Sequence, residues 1–484
     1  MNLFEEIKRR NVDLRISREA KEFLEKCSQD ELDYILNEIR RRDVKLIDKN
    51  TVVEILSTRV VIKQEIRPDA KDIESRIEVD RDITYDPNIH NTRSTVDDFI
   101  ELYRSRFRAI SKLFNRNHDD RIIDILDFME LTDNKNLNRD IMVIGVVFRK
   151  GVSKNGNLVL DLEIGSEDLE RFGMRKFIVP KDHPEYLNYK NTILEDDIIK
   201  VYAKWNGNFG IIREISYPDL NSNNPMPNIE DDFYILYISD LHFGSKHVNM
   251  KAINNFLKYI NDPMNRIASK IKYIVIAGDN VEGVGIYPGQ EKELDILDIE
   301  KQYIEFNKFI EQIPEHIEVI FIPGNHDATR RNEPTEIILK DLIWVDSYSL
   351  PNPVYVKIHG IEHLIYHGTS LDSYINTLPG MSYSRPEQAA IEMVRRRHMS
   401  SIIEGNPVAP LREDFLVIRK MPHVFNMGHV HKKFVTHFKP SYIVNPGTFQ
   451  NQTPFQEKVG LNPDIGYGCL FNPKQNRFYW IHFI

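Results

Sequence analysis

The sequence predicts a multidomain α/β chain: a small N-terminal helical module, an OB-like β-barrel, and a layered α/β domain that fills the second half. Three observations predict it. In the second half, short β-branched runs each end in a cluster of Asp, His, Asn and Gly. Between residues 140 and 217 the apolar period is two, broken by Asn-Gly turns. Over the first sixty residues the apolar period is that of a helix.

At 484 residues the chain has room for about three domains. Residues 1–60 form the helical module. One helix is expected from Arg18 to Cys27. Ser28 and Glu31 frame a capping box for a second, with Leu32, Ile35, Leu36 and Ile39 on one face. Arg40, Arg41 and Arg42 complement its C-terminal dipole. Residues 61–139 hold a charged linker with one short strand, then an amphipathic helix. Its stripe of Phe99, Leu102, Tyr103, Phe107, Ile110, Leu113 and Phe114 reads as packing, and Arg104, Arg106 and Arg108 read as solvated.

Residues 140–217 supply five strands: 141–149, 158–164, 176–179, 198–204 and 209–215. A short helical insert separates the third from the fourth, the plan of an OB-like barrel. Few basic or aromatic residues line these strands, so a scaffold is favoured over a strand-binding surface. Residues 218–231, rich in Asn and Pro, make a linker into the last domain, 232–484.

In that domain five buried strands are expected, at 234–238, 273–277, 319–322, 364–366 and 424–427. Ile238 to His242, Ala277 to Asn280, Pro323 to Asp327, Tyr366 to Gly368 and Gly428 to His431 follow them in turn. Polar clusters at the C-terminal ends of buried strands converge on one edge, where open α/β sheets place their sites. Asp, His and Asn offer oxygen and imidazole ligands without thiolate, a mix suited to Mn²⁺, Fe or Zn²⁺ and less to Mg²⁺. Asp240, His242, Asp279, Asn325, His367, His429 and His431 are too many for one ion and enough for two about 3.5–4 Å apart. Asp279, just past a Gly at a strand end, is the natural bridge.

This ordered set resembles the calcineurin-like metallophosphoesterase superfamily. The resemblance implies one metal on Asp240, His242, Asp279 and His431 and another on Asp279, Asn325, His367 and His429. It implies that His326 meets the substrate phosphate and assists the leaving oxygen. Glu282 stands where the superfamily often carries Asp and is not among the implied ligands. Gly-Asp-Asn-Val-Glu-Gly and Gly-Asn-His-Asp argue against the protein Ser/Thr phosphatase branch.

Two further stretches, Gly283 to Gln290 and Asn445 to Gln456, together with the preceding OB-like domain, make residues 141–484 similar to the small subunit of the archaeal D-family DNA polymerase. That resemblance implies a two-metal 3′–5′ exonuclease with Mn²⁺ as the first choice of ion. It implies DNA as substrate, at single-stranded or mismatched 3′ ends, and a large catalytic polymerase subunit as partner. A catalytically silent structural subunit and a repair nuclease of the same superfamily are the alternatives. Tyr287, Lys432 and Lys433 lie near the motifs and can guide a strand. The net charge of −9 argues against DNA binding by bulk electrostatics alone. Two cysteines, no leader and no long apolar span make a cytoplasmic protein without membrane contact the expectation.

Overall fold

The computed structural model describes residues 15–24, 26–27, 32, 34–35, 38–39, 46–57, 69–90, 94–114, 138–165, 172–220, 225–458 and 460–484. The chain divides into two units, 1–66 and 67–484.

In the first unit, β1 (Arg15–Ile16) pairs in parallel with β2 (Leu46–Ile47), and helices span Arg18–Leu24 and Lys49–Ser57. Ala20, Leu24, Leu32, Ile35, Ile39, Ile47, Val52 and Ile55 form its core. The expected capping box and the Arg40–Arg42 cluster lie outside the described residues.

The second unit opens with β3 (Ile77–Val79), so the stretch read as a linker does more than connect. Just before β3, the Arg76 backbone N–H donates to the Tyr273 hydroxyl at 2.9 Å and Ser75 Oγ to Glu318 at 2.6 Å. The helix Val96–Ser111 follows, started by a reciprocal capping box between Thr95 and Asp98. Most of its stripe packs as expected, with Leu102, Phe107 and Ile110 buried, but Phe99 at its start is exposed. Arg106 does not point to water. It is 4% exposed, and its Nε donates to Asp414 at 2.6 Å. Asp414 lies more than three hundred residues away in sequence, so helix periodicity alone could not reveal this partner.

A closed five-stranded barrel comes next: β4 (Arg139–Val152), β5 (Leu158–Gly165), β6 (Phe172–Val179), β7 (Ile198–Trp205) and β8 (Gly210–Ser216). Their order round the barrel is β4-β5-β6-β8-β7, and the helix Tyr186–Thr192 sits between β6 and β7 in the chain. Every second residue of β5 is buried, the period-two pattern the sequence carries. Asp197, just before β7, joins the barrel to the rest of the unit: Arg396 Nε donates to it at 2.8 Å, both side chains buried.

The remaining strands are β9 (Tyr234–Ile238), β10 (Ile271–Ile276), β11 (Glu318–Phe321), β12 (Tyr348–Ser349), β13 (Val354–Ile358), β14 (Ile361–Ile365), β15 (Val424–Asn426), β16 (Lys433–Phe438), β17 (Ser441–Pro446), β18 (Tyr467–Asn472) and β19 (Arg477–His482). They make two six-stranded sheets, β12-β11-β10-β9-β18-β19 and β16-β17-β15-β14-β13-β3. Ile235, Tyr237, Val275 and Ile320 of the first face Val356, Ile365, Val424 and Val444 of the second across a dry core. Helices Met250–Ile260 and Ile299–Glu311 cover the outer face of the first sheet, and Leu371–Thr377 and Glu387–Arg396 that of the second. Strands covered on both faces read as continuous apolar runs, which is why the sequence exposes them.

Register then fixes the site. β9, β10 and β11 are parallel, with Ile238 opposite Ile276 and Ile276 opposite Phe321. β14 and β15 are parallel, with Ile365 opposite Asn426. All five polar clusters therefore leave their sheets at the same edge. One buried hydrogen bond ties the sheets together there, from the Tyr237 hydroxyl to His363 Nε2 at 2.8 Å. Burial lowers His363 to about 4, which keeps this imidazole neutral.

Removing one partner of a buried ion pair leaves an uncompensated charge, at about 3–5 kcal/mol. Arg106→Ala is therefore expected to lower unfolding stability by about that much in urea titrations. A change under about 1 kcal/mol, the range of exposed pairs, means that Arg106 behaves as solvated.

Candidate functional site

Tight exits from the strands aim the clusters inward. Asp240, His242, Asp279, His429 and His431 all have positive φ, between 50° and 70°. Left-handed backbone at a non-glycine residue costs on the order of 1–3 kcal/mol and persists only where the surroundings enforce it. Here the loops enforce it: the His242 N–H donates to the Asp279 carbonyl at 3.0 Å and the Phe243 N–H to that of Asn280 at 3.2 Å. Two glycines make room. A Cβ on Gly278, at φ 91°, would lie 2.6 Å from His367 Nδ1, and one on Gly324 would lie 2.1 Å from Asp279 Oδ1.

The structure brings the seven residues singled out from sequence, and His326, to one edge. Three groups have ligand atoms close together: Asp240, His242 and His431; Asp279, His367 and His429; and His242, Glu282 and His326. His242 Nε2 faces His431 Nε2 at 3.1 Å, and His431 Nε2 lies 3.2 Å from Asp240 Oδ1. Asn325 Oδ1 lies 3.0 Å from His367 Nε2. Asp279 Oδ2 lies 3.3 Å from His367 Nε2 and 3.7 Å from His242 Nε2, so one oxygen faces the first two groups. Ligands bound at about 2.1 Å to one ion stand about 3–3.5 Å apart. Imidazole, carboxylate and amide oxygen at these separations are a donor set of the kind that holds a metal cation.

The supporting residues were mostly not legible in sequence. Glu282, read as outside the ligand set, lies 2.9 Å from His242 Nδ1 and orients that ring. Asp372 lies 3.1 Å from His429 Nε2. Asp327 accepts from the Gly324 N–H at 2.8 Å, the Asn280 N–H at 3.1 Å and the Tyr303 hydroxyl at 2.9 Å, and so clamps the loop after β11. The stretch Asn445 to Gln456, marked in sequence without a role, braces the site. Asn445 Nδ2 donates to the Gly428 carbonyl at 2.6 Å and Thr448 Oγ1 to that of Asp240 at 2.9 Å. Gln450 Nε2 donates to Glu282 at 2.7 Å, and Gln456 Nε2 reaches His431 Nδ1 at 2.9 Å.

His326 shares a group with His242 and Glu282 and lies in neither of the two groups of implied ligands. Its N–H donates to Asp279 Oδ1 at 2.9 Å, and its Nδ1 lies 2.8 Å from the Glu282 carbonyl. A carbonyl only accepts, so Nδ1 carries a hydrogen and Nε2 is left as the exchangeable position. Of the residues read as strand guides, Lys432 is paired with Asp464 at 3.0 Å, Lys433 sits over the Tyr467 ring at 3.8 Å, and Tyr287 is partly exposed.

The metal-free site balances its charge with protons. Burial alone would keep His242 and His367 neutral. The Glu282, Asp279 and Asp240 carboxylates outweigh it at His242, raising it to about 9. Asp279 and Asp240 do the same at His367, raising it to about 10. Burial opposes ionisation of Asp279 too, yet the surrounding histidines hold its pKa well below the usual carboxylate range. Pairing through histidines with raised pKa stabilises the metal-free fold fully below about 6.5, and that stabilisation is lost as pH rises through about 9 to 10. Ligation requires both imidazoles neutral, so metal must displace those protons. Affinity for Mn²⁺ is expected to tighten steadily from pH 6 to pH 9, with proton release visible by calorimetry in buffers of different ionisation enthalpy. An affinity independent of pH over that range contradicts the assigned pairing.

Residues 235–436 match the family model that describes the B-subunits of DNA polymerases alpha and epsilon. The chain is 31% identical over 448 residues to the DNA polymerase II small subunit of Archaeoglobus fulgidus, covering 88% of this chain and 87% of the relative. It is 31% identical over 395 residues to that of Methanothermobacter thermautotrophicus, covering 79% and 78%. With the DNA polymerase II small subunit of Methanocaldococcus jannaschii it is 33% identical over 410 residues, covering 81% of this chain and 66% of that longer relative. A solved structure titled as a novel archaeal phosphodiesterase aligns with 51% of the chain at 15% identity and a TM-score of 0.27, too low to add to the geometry. Among the described residues no helix is long and apolar enough to cross a membrane.

Proposed function

The chain belongs to the DNA polymerase II small subunit family, and from that premise we propose that it is the proofreading subunit of a replicative DNA polymerase. It acts as a 3′–5′ exonuclease that removes nucleotides from single-stranded or mismatched 3′ ends. The observation that carries this reading is Asp279 Oδ2, which lies 3.3 Å from His367 Nε2 and 3.7 Å from His242 Nε2, within reach of both ligand groups. One divalent ion would be held by Asp240, His242, Asp279 and His431, and a second by Asp279, Asn325, His367 and His429. Mn²⁺ suits four imidazoles with carboxylate and amide oxygens best, with Fe, Zn²⁺ and Mg²⁺ as alternatives.

Bound there, the two ions supply Lewis acidity to the phosphodiester and to the attacking water. The chain's own residues do the rest. His326 holds a hydrogen on Nδ1 against the Glu282 carbonyl, so the mobile proton is on Nε2. That proton goes to the 3′-oxygen of the preceding nucleotide as its bond to phosphorus breaks. The water oxygen bonds to phosphorus, its proton passes to solvent, and a deoxynucleoside monophosphate leaves.

We read the barrel, ordered β4-β5-β6-β8-β7, as an OB-type scaffold that precedes the phosphoesterase domain in the chain. The partner is the large catalytic polymerase subunit. The native protein is expected to co-purify with that subunit, and recovery only as a free monomer would count against the assignment.

The test of catalysis is cleavage of 3′-labelled paired and mismatched primers by the purified chain with Mn²⁺, with Mg²⁺ and with chelator. Asp279→Asn removes the shared charge, so metal content and activity fall together. His326→Ala keeps both metals and loses on the order of 10²–10⁴-fold in rate. Elemental analysis beside rate separates the two roles. If His326→Ala sheds its metals, it is a ligand. If neither variant changes cleavage, the chain is a structural subunit and the activity came from elsewhere.

A further inference from the structure

Two exposed aromatic side chains stand at opposite ends of the histidine row, and the mechanism above uses neither. The ring of His326 is 5.0 Å from that of His242, and His242 is 5.1 Å from His431, so His326 and His431 mark the two ends.

Phe455 lies at the His431 end. It is 68% exposed on the short helix Pro454–Lys458. The next residue, Gln456, reaches His431 Nδ1 at 2.9 Å, which anchors the segment to the site. The segment is internally tied. The Thr453 N–H donates to Gln456 Oε1 at 3.1 Å, the Leu461 N–H to the Gln456 carbonyl at 2.8 Å, and Gln452 Nε2 to the Leu461 carbonyl at 2.7 Å. Exposed Lys458 closes the same helix.

Tyr287 lies at the His326 end, 38% exposed. Its loop leaves from Glu282, whose carbonyl receives the His326 Nδ1 hydrogen bond. Gln290 Nε2 donates to that same carbonyl at 3.0 Å, and the Ile286 N–H donates to Gln290 Oε1 at 2.9 Å. The Gly283 N–H donates to Gln302 Oε1 at 2.8 Å, and Arg331 to the Gly285 carbonyl at 2.8 Å. Both rings therefore project from tied loops and face water, positions from which folding gains little apolar burial. Stacking on a nucleobase buries such a ring and tolerates any base, because every base has a π-face.

The chemistry assigns the two ends. The leaving oxygen belongs to the nucleotide preceding the 3′ terminus, so that nucleotide lies at the His326 end. The terminal nucleotide extends away from it, toward His431. Resting on the exonuclease reading, we propose that Phe455 stacks on the unpaired 3′-terminal base and Tyr287 on the base before it, so that the loops set strand polarity. A base still paired to template must break its pair to follow a single strand across the site, a cost that is least at a mismatched end. The site therefore selects frayed or mismatched ends by stacking.

The full chain is tested with single-stranded DNA carrying 2-aminopurine at the terminal or the preceding position, with Ca²⁺ replacing Mn²⁺ to slow cleavage. Terminal fluorescence is expected to be quenched by the wild type, released by Phe455→Ala and quenched again by Phe455→Trp, with Tyr287→Ala leaving it quenched. Fluorescence at the preceding position is expected to respond to Tyr287→Ala instead. With Mn²⁺, Phe455→Ala is expected to raise KM for single strands on the order of tenfold with a smaller change in kcat. Terminal quenching that survives Phe455→Ala, or that depends on Tyr287, overturns the proposal, as does a wild type that quenches neither position. A wild type that quenches as expected but never cleaves DNA defeats the exonuclease reading alone and leaves the stacking sites standing.

Discussion

The carboxylate of Asp279 sets the terms for everything around it. It is 2% exposed at the end of the central strand β10. An isolated carboxylate in such surroundings costs several kcal/mol. Three histidines, one backbone N–H and two glycines answer that cost. His242, His326 and His367 supply positive charge or hydrogen bonding, and Gly278 and Gly324 let the backbone close in where any side chain would collide. The register of two sheets then follows, because the histidines come from different strands. His242 follows β9 in one sheet and His367 follows β14 in the other, and the buried Tyr237–His363 hydrogen bond spans the gap between those strands. A slip of one residue in either sheet would turn the ligands to the wrong face.

The legible part of the site was the part written in contiguous clusters. Each ligand lies within a few residues of a buried strand's end, and both glycines sit inside the motifs, so strand pattern and motif order were enough to gather them. The supporting carboxylates were not legible. Asp372 follows His367 by five residues and looks like any acidic residue at the start of a helix; only the fold brings it to His429. Glu282 lies outside the ligand set that the resemblance implies, and only its contact with His242 shows its part in the site. Arg106 is another residue whose partner only the fold reveals. Helix periodicity placed it on a polar face, and a loop hundreds of residues later buries that face. Composition showed residues 61–93 as charged and proline-containing but could not show that β3 is the edge strand of a sheet.

The barrel and the helix before it are fastened to the site-bearing sheets by buried charge as well as apolar contact. Asp197 holds Arg396, and Tyr217 donates to the same carboxylate at 2.9 Å. Phe107, Ile110 and Phe114 pack with Ile144 and Ile198 of the barrel and with Val417. Such fastenings are directional, so they set how the parts meet more sharply than an oily surface would. The helix Glu387–Arg396, which carries Arg396, packs in turn on the second sheet, whose strands lead into His367, His429 and His431.

The position of β18 has a consequence for how the protein is made. In the first sheet β18 lies against β9, with Cys469 opposite Tyr237, about 230 residues later in the chain. A ribosome adding about 5–20 residues per second leaves β9 without that neighbour for on the order of ten to fifty seconds. During that interval Tyr234–Ile238 is an apolar run with one unpaired edge, a ready template for wrong pairing. The loop that braces Asp240 and Glu282 also emerges late, so the candidate site is without those contacts until residues 445–456 have been made.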